Sequence, residues 1–241
     1  FPKQMPFDIL KNKKYLIGFD SKLFTKKTIQ MFFGKSQCKF KPLNKNLVDE
    51  IWKRKIKINK KKFYMLPKNS VGKSYKSKIT KVASFLKNKN ADFLFVTASE
   101  NNAWLLNIRG KDSDYSPLPD SYILIDKNKK VDFFCDLRKV SLSLRRKLKN
   151  INFIELKLTS KILSRIYRKK FIIDKSTCSV NFENIILKKN RVLNFQDPIY
   201  ALKAIKTKKE IENIKLAHKL DGAALTKYLF WLKKNFSKKK I

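Results

Sequence analysis

Few residues in this chain have the chemistry of a catalytic site. His218 is the only histidine, and a serine or cysteine nucleophile needs such a base within hydrogen-bonding reach. His218 lies in a long helical pattern, far from any nucleophile motif, so we interpret it as a structural or surface residue. A zinc or manganese centre needs at least three convergent ligands, and the sequence has no His-Glu-x-x-His motif or clustered Asp/His spacing. The sequence therefore predicts no catalytic residue and no metal ligand among these residues.

Two Gly-Lys-Ser triplets, at residues 72–74 and 34–36, are similar to the end of a phosphate-binding loop. In such a loop, backbone N–H groups surround the phosphate and the lysine neutralises it, but the loop also requires an upstream glycine. Pro67 and Ile29 occupy that upstream position. Neither triplet is expected to bind a nucleotide.

The chain is strongly basic, with 58 Lys and Arg against 19 Asp and Glu and a formal net charge of +39. Such a charge can indicate a nucleic acid or an anionic membrane as partner. However, the charge is spread along the whole chain, and the excess lysine accompanies abundant Asn, Ile and Phe, as a biased codon usage would produce. Arginine, which suits bidentate phosphate contacts, is scarce. We expect a solvated basic surface and no specific nucleic-acid partner.

The same composition favours a soluble intracellular protein. Hydrophobic residues make up 43% of the chain, enough to form a core despite the charge. No apolar run approaches the roughly 20 residues that cross a bilayer, and the start of the chain does not resemble a signal peptide. Cys38, Cys135 and Cys178 are odd in number and far apart, so no disulfide framework is expected. We expect a cytoplasmic location and no membrane partner.

Hydrophobic periodicity divides the chain into three blocks, which we predict to be domains at residues 1–70, 71–196 and 197–241. In the first block, residues 15–19 form a predicted strand, residues 25–33 an amphipathic helix and residues 38–43 a second strand. Asn46 could cap a further helix with Leu47, Val48, Ile51 and Trp52 on one face. A basic, proline-containing segment at residues 53–69 marks the predicted boundary.

The second block alternates predicted helices and strands, which is typical of an α/β domain. The predicted strands include a central one at residues 92–98 and an antiparallel hairpin formed by residues 121–125 and 131–135. The full set of predicted helices is 74–87, 137–148 and 161–168, and the remaining predicted strands are 152–156 and 171–174.

Residues 171–195 repeat the order strand, aspartate, serine, helix, basic strand that residues 16–43 show. This repeat suggests two related α/β domains in tandem, the first of which lacks its beginning. Chance similarity is the alternative for so short a pattern.

The third block begins near Asp197-Pro198. Thr207 and Glu210 have the spacing of a capping box, so a long helix is predicted over residues 208–234. An apolar stripe on it is expected to be buried: Ile211, Ile214, Leu225, Leu229 and Leu232. Because a lone amphipathic helix is not a stable domain, this stripe requires a partner that the sequence does not contain, and we expect the chain to be truncated here.

Three segments carry recognisable motifs. They are Asn46-Leu47-Val48-Asp49-Glu50-Ile51-Trp52; Ala103-Trp104-Leu105-Leu106-Asn107-Ile108-Arg109-Gly110-Lys111-Asp112 with Pro117, Pro119 and Ser121-Tyr122; and Asp197-Pro198-Ile199, Leu202 to Lys206, Glu210-Ile211, Ala217-His218, Asp221 to Leu225 and Trp231-Leu232. In this order they resemble the end of the first domain, the second-domain signature and the entry to the catalytic domain of the long, three-domain Xaa-Pro aminopeptidases of peptidase family M24. Together they cover nearly the whole chain.

The resemblance implies an α/β fold of tandem creatinase-N-like, ribonuclease H-like domains, with mixed sheets flanked by helices and the first domain incomplete. It also implies the first helix of a truncated pita-bread domain. Members of the family are cytosolic, usually dimeric enzymes that remove an N-terminal residue when proline follows it. Two divalent metals, commonly manganese, activate a bridging water in them. The resemblance implies that the five acidic and histidine ligands lie beyond position 241 and that His218 is not one of them, so this fragment is expected to be inactive and to bind no metal.

Arg109 and Asp112 follow a buried run and enter a proline-containing loop. Their charged side chains are candidates to face the catalytic cleft. The alternative is an Arg–Asp pair that fixes this loop.

Two further readings stay open at this point. A pseudo-peptidase binding module would have the same fold without metals in its missing domain. A lysine-rich nucleic-acid-binding protein would bind DNA with an affinity that falls steeply with salt.

Overall fold

The structure is a computed structural model that describes residues 10–43, 45–52 and 59–236. Residues 16–51 form a small unit, which we call the N-terminal unit. It consists of β1 (Leu16–Asp20), α1 (Lys26–Phe33), β2 (Lys39–Leu43) and α2 (Leu47–Ile51), and β1 pairs with β2 in parallel. The predicted elements of the first block are confirmed.

Side-chain caps set where the two helices of the N-terminal unit begin. Thr25 Oγ1 accepts a hydrogen bond from Thr28 N at 3.0 Å at the start of α1. Asn46 Oδ1 accepts one from Val48 N at 2.9 Å at the start of α2, as the sequence predicts. Such caps satisfy backbone N–H groups that have no partner within the helix.

Residues 63–204 form a second body, which we call the sheet domain. A two-stranded antiparallel pair joins β3 (Tyr64–Met65) to β5 (Ile108–Arg109). The main sheet has six strands: β4 (Phe93–Val96), β6 (Ser121–Asp126), β7 (Val131–Cys135), β8 (Ile151–Glu155), β9 (Lys170–Ile173) and β10 (Arg191–Asn194). Their order is β10-β9-β4-β6-β7-β8, and only β6 runs against its neighbours. The predicted central strand and the predicted hairpin are confirmed.

In the described part of the chain, seven helices lie between and after these strands. They are α3 (Tyr75–Asn88), α4 (Ser99–Leu106), α5 (Leu142–Lys147), α6 (Thr159–Arg165), α7 (Val180–Leu187), α8 (Pro198–Ala204) and α9 (Lys208–Phe236). Short 3₁₀ turns lie at Lys68–Ser70, Leu137–Lys139 and Leu156–Leu158.

The sheet separates two hydrophobic clusters because successive side chains of a strand point to opposite faces. On β4, Leu94 and Val96 join one cluster while Phe95 joins the other. On β9, Ile172 and Phe171 divide in the same way. Helices α3 and α4 contribute to the first cluster, and α6 and α7 contribute to the second. The sheet domain therefore has a core on each face.

The predicted repeat of residues 16–43 in residues 171–195 is confirmed as a local structure, since β1–α1–β2 and β9–α7–β10 are both parallel βαβ units. The repeat extends into hydrogen bonding. Asp20 Oδ2 accepts from Nδ2 of the cap residue Asn46 at 3.1 Å, and Asp174 Oδ2 accepts from the backbone N of the cap residue Asp197 at 3.1 Å. In both places, an aspartate at the C-terminal end of the first strand binds the cap residue of the helix that follows the second strand.

The two units contact each other directly through helix α7. Its first two N–H groups, of Val180 and Asn181, donate to Phe24 O and Ser21 O at 2.8 and 2.9 Å. The N-terminal unit therefore satisfies backbone groups that α7 leaves free at its start.

The prediction for the second block needs two corrections. The predicted helix over residues 137–148 is a 3₁₀ turn followed by α5, because Ser141 Oγ accepts from Leu144 N at 3.1 Å and starts a new helix there. Helix α4 was not predicted. Most of its eight residues are buried, so it lacks the polar face that makes a helix visible as a periodic pattern.

The apolar faces predicted for α2 and α9 are not buried within the described residues. Trp52, after α2, is 62% exposed. On α9, Ile211, Ile214, Leu225 and Leu229 are all exposed, although the capping box at its start is present, with Thr207 N donating to Glu210 Oε2 at 2.8 Å. None of the described helices is both long and apolar enough to span a bilayer.

Candidate functional site

The C-terminal end of α4 is held by a buried lysine. Asn107 ends the helix in the left-handed conformation, with φ of 57°, which asparagine tolerates better than most residues. Lys78 Nζ donates to Trp104 O at 2.7 Å and to Asn107 Oδ1 at 2.6 Å, and it lies 3.8 Å from the centroid of the Trp104 ring. A cation at this helix end also complements the partial negative charge of the helix dipole.

Burial disfavours the charged form of Lys78. Lys78 is 2% exposed, and burial lowers its pKa to about 8, with Arg109 and Lys73 adding to the lowering and Glu210 opposing it. Loss of solvation disfavours the charged form of a lysine. The ammonium is thus held in place by two acceptors and a ring face, while the charge of Glu210 favours it and the charges of Arg109 and Lys73 disfavour it.

Arg109 also serves the end of α4. Its Nη1 donates to Ile108 O at 2.8 Å and to Ala103 O at 3.3 Å, and burial lowers the pKa of the guanidinium. Arg109 lines a recess of about 210 Å³ together with Lys78, Lys203 and other residues of α8 and α9. We call this space the α4–α9 recess.

Asp112 lies on the other side of the Gly110 loop. It forms an ion pair with Lys139 at 2.5 Å, in which the two side chains are 8% and 9% exposed. Its Oδ2 also accepts from Asp120 N at 2.9 Å. Asp112, Asp120 and Lys139 line a second recess of about 860 Å³.

The structure therefore separates the two residues that the sequence singled out. Within the described residues Arg109 and Asp112 face different recesses, and no ion pair joins them. The predicted Arg–Asp pair is wrong, because Lys139 neutralises Asp112 and fixes the loop instead. Arg109 is occupied by the backbone carbonyls at the end of α4.

One carboxylate at the second recess has a raised pKa, but the described residues form no metal site there. Burial, together with Asp112, raises the pKa of Asp120. Within residues 10–43, 45–52 and 59–236, no three His, Cys, Asp or Glu side chains are grouped so that they could hold a metal ion. His218 lies on an exposed part of α9. These residues do not fit a metal ion.

Lys78 was missed by the sequence analysis, although a signal for it exists. The buried positions of α3 recur at helical spacing, and they are Tyr75, Lys78, Ile79, Val82, Ala83 and Leu86. A lysine within such an apolar stripe must find acceptors inside the protein. This position could therefore have been flagged as a buried cation.

A model described as the creatinase/prolidase N-terminal domain matches residues 54–210. The chain belongs to this family. The match covers the sheet domain and the capping box of α9, so the Asp112–Lys139 pair lies within it. The α4–α9 recess lies within it except for Asn213 and Ile214 on α9.

Several curated proteins are similar to the chain over nearly its whole length. Xaa-Pro aminopeptidase ApepP of Drosophila melanogaster is 30% identical over 94% of this chain and 38% of that protein. Xaa-Pro aminopeptidase 2 of Mus musculus is 28% identical over 92% of this chain and 35% of that protein. The chain thus spans well under half the length of these relatives.

A solved structure of X-prolyl aminopeptidase from Caenorhabditis elegans shows the same fold. It matches with a TM-score of 0.83 and 24% identity, over 95% of this chain and 39% of that one. That protein is described as a cytosolic enzyme with a di-nuclear active site. The predicted fold class, with creatinase-N-like domains and a mixed sheet flanked by helices, is confirmed.

Proposed function

We propose that this chain is the non-catalytic N-terminal portion of a metal-dependent Xaa-Pro aminopeptidase, which removes an N-terminal residue that precedes proline. The observation that carries the proposal is the similarity to curated Xaa-Pro aminopeptidases over 92–94% of this chain but only 35–38% of those proteins. The described residues supply no metal-binding group. The remaining length of the relatives is where we place the catalytic chemistry.

In this proposal the parent enzyme is cytoplasmic and dimeric, acts on peptides with proline in second position and uses two divalent metal ions, with manganese as the expected metal. The ligands of those metals lie outside these 241 residues. The two α/β bodies described here shape the substrate entrance and the dimer contact. The present chain therefore has a structural role in the proposed enzyme and supplies no metal ligand.

The division into domains at residues 1–70, 71–196 and 197–241 belongs to the same proposal, with one adjustment. Phe63 is buried in the core of the sheet domain, and Tyr64–Met65 pairs with Ile108–Arg109. These contacts support a first boundary before residue 63. The sequence placed this boundary in the basic segment at residues 53–69, of which residues 53–58 lie outside the described residues.

Arg109 and Asp112 stay candidates to face the catalytic cleft of the complete enzyme. Replacing Arg109 with Ala in the complete enzyme separates a role at the cleft from a structural one. A loss of peptide turnover at unchanged melting temperature would support the cleft role. Unchanged turnover with a lowered melting temperature would leave Arg109 as a cap for α4.

The proposal is tested with a protein extended by its downstream coding sequence. Release of the N-terminal residue is measured on a peptide with proline in second position and on a matched peptide with alanine there, with Mn²⁺ and with a chelator. We expect release from the proline peptide alone, lost with the chelator. A folded extended protein that binds such peptides without cleaving them would contradict the proposal and indicate a pseudo-peptidase.

A further inference from the structure

The charged side chains that line the α4–α9 recess are mainly cationic. Its volume of about 210 Å³ greatly exceeds the ~30 Å³ that one water occupies in the liquid. Four cationic side chains and one carboxylate line it: Lys78, Arg109, Lys203, Lys206 and Glu210. The recess therefore has room for a small molecule and an excess of positive charge.

Glu210 favours the charged form of Lys78, but it forms no ion pair with these cations. Its Oε2 is occupied by hydrogen bonds from Thr207 N and Thr207 Oγ1, both at 2.8 Å, in the capping box that starts α9. Within the part of the chain that the structure describes, none of the four cations has a carboxylate oxygen within 4.0 Å. Unpaired lysines are ordinary on a surface in water, but Lys78 is buried and Lys203 and Arg109 are half-buried, so their charges are less well solvated.

The pKa values of two lysines that line the recess are lowered mainly by burial. Burial lowers the pKa of Lys78 to about 8, with Arg109 and Lys73 adding to the effect and Glu210 opposing it. Burial also lowers the pKa of Lys203, and Lys206 adds to that lowering, against Glu100 and Asp197. A bound anion would offset both the lost solvation and the mutual repulsion.

Donors remain for such an anion. An ammonium group has three N–H donors and a guanidinium has five. Lys203 Nζ donates to Asn101 Oδ1 at 2.6 Å, Lys206 Nζ donates to Lys203 O, and Arg109 uses Nη1 for its two carbonyl contacts. Among the described hydrogen bonds, each of these groups has further N–H donors without a protein acceptor.

We propose that the α4–α9 recess binds a phosphate group, between Arg109 on one side and Lys203 and Lys206 on the other. Arginine suits the planar, bidentate contact with phosphate oxygens, and lysines act as point charges beside it. The ligand is either inorganic phosphate or a small phosphate monoester. The site is independent of peptide hydrolysis, so its failure would leave the proposed function untouched.

The test uses the whole 241-residue chain and isothermal titration with inorganic phosphate at constant ionic strength. Lys203→Gln with Lys206→Gln removes two charges from the recess. Lys208→Gln with Lys209→Gln is the matched control, since it removes two charges from the exposed first turn of α9. We expect saturable binding of one phosphate, weakened at least tenfold by the recess pair and less than twofold by the control pair. Equal weakening in both, or no saturation, would overturn the proposal.

A second measurement follows Lys78 in the unsubstituted chain. The Lys78 side chain is titrated by carbon-13 NMR, with the signal assigned through Lys78→Arg. Phosphate at saturation is expected to raise the pKa of Lys78, whereas chloride at the same ionic strength leaves it unchanged; equal effects of the two anions would contradict the site.

The source of the phosphate group is decided by comparing inorganic phosphate with O-phosphoserine in the same titration. Binding of O-phosphoserine at least tenfold tighter than inorganic phosphate would assign the site to a phosphate monoester. Equal or weaker binding would assign it to free phosphate.

Discussion

The N-terminal unit and the sheet domain contain the same local design and differ in burial. Each has a parallel βαβ unit, an aspartate at the C-terminal end of its first strand, and an Asn or Asp cap on the helix that follows its second strand. No residue among 10–43 and 45–52 is fully buried, whereas the sheet domain has a core on both faces. Short-range hydrogen bonds set where these elements begin and end. The number of strands in the sheet decides how much of each element is buried.

The largest difference in stability between the two regions is expected when one ring of a matching aromatic pair is removed. Phe171 is fully buried and stacks on Phe93 with ring centroids 5.1 Å apart, and Phe40 contacts Phe33 at the same 5.1 Å in the N-terminal unit. Phe171→Ala should reduce the free energy of unfolding by ~3–5 kcal/mol, and Phe40→Ala by less than half of that. Urea unfolding followed by circular dichroism measures both. Equal losses would show that the N-terminal unit is as well packed as the sheet domain.

The contributions of ion pairs to the free energy of unfolding should differ almost as much between the two regions. Asp112→Asn leaves Lys139 buried without its partner, which typically costs ~3 kcal/mol or more. The pair Lys45–Glu50 in the N-terminal unit is mostly exposed, at 3.5 Å, so Glu50→Gln should change the free energy of unfolding by less than ~1 kcal/mol. Thermal unfolding at pH 7 compares the two variants. A cost below ~1 kcal/mol for Asp112→Asn would contradict the role of Lys139 in fixing the loop.

The equivalent helix caps differ in their response to pH. Burial raises the pKa of Asp197 to about 6, against favourable hydrogen bonds from Ile199 and Asn101, while the equivalent cap Asn46 does not titrate. Between about pH 4 and 6 the folded state therefore binds more protons at Asp197 than the unfolded state does. The free energy of unfolding should fall as pH rises through this window, by an amount on the order of 2 kcal/mol.

The control for this pH effect is Asp197→Asn, which makes the cap of α8 like that of α2. Guanidinium unfolding at a series of pH values should show a flatter profile between pH 4 and 6 in the variant. An identical slope in the two proteins would mean that other carboxylates cause the dependence.

A smaller effect is expected from glycine substitutions at close approaches. A Cβ on Gly72 would lie 1.8 Å from Thr207 Oγ1, and a Cβ on Gly18 would lie 2.7 Å from Leu43 Cδ1. Gly72→Ala should cost about 1–2 kcal/mol, within the usual range for overpacking, because it displaces the capping box of α9. Gly18→Ala should cost less, since the tip of a leucine side chain can move.

Hydrogen exchange of the amides at residues 207–214 measures the displacement of α9 directly. The exchange should become faster in Gly72→Ala and stay unchanged in Gly18→Ala. Unchanged exchange in both would show that the Gly72 loop moves without disturbing the helix.

Much of the fold could be predicted because its signals are local. Thr207 and Glu210 carry a capping box in the sequence, and two short strand-forming runs joined by the polar residues 127–130 locate the hairpin of β6 and β7. Helix α4 could not be found in this way, because it is buried on nearly every side. The exposure of the apolar residues of α2 and α9 could not be read from periodicity either, since periodicity defines a face and says nothing of what covers it.

The site was less predictable than the fold for a related reason. Arg109 and Asp112 are near in sequence, but the Gly110 loop directs them to different recesses. Their partners come from elsewhere in the chain: Asp112 pairs with Lys139, and Arg109 lines its recess with Lys78 and Lys203. Pairings between residues so distant in sequence depend on the tertiary fold, which a single sequence does not display.

The most direct test of the central claim is an assay of the purified 241-residue chain itself, since the account places all hydrolytic chemistry outside it. Release of the first residue from a peptide with proline in second position is followed with Mn²⁺ present. The account predicts no release above that of buffer with Mn²⁺ alone, although the chain is folded by circular dichroism. Release that is lost when a residue of this chain, such as Asp112, is replaced would contradict it.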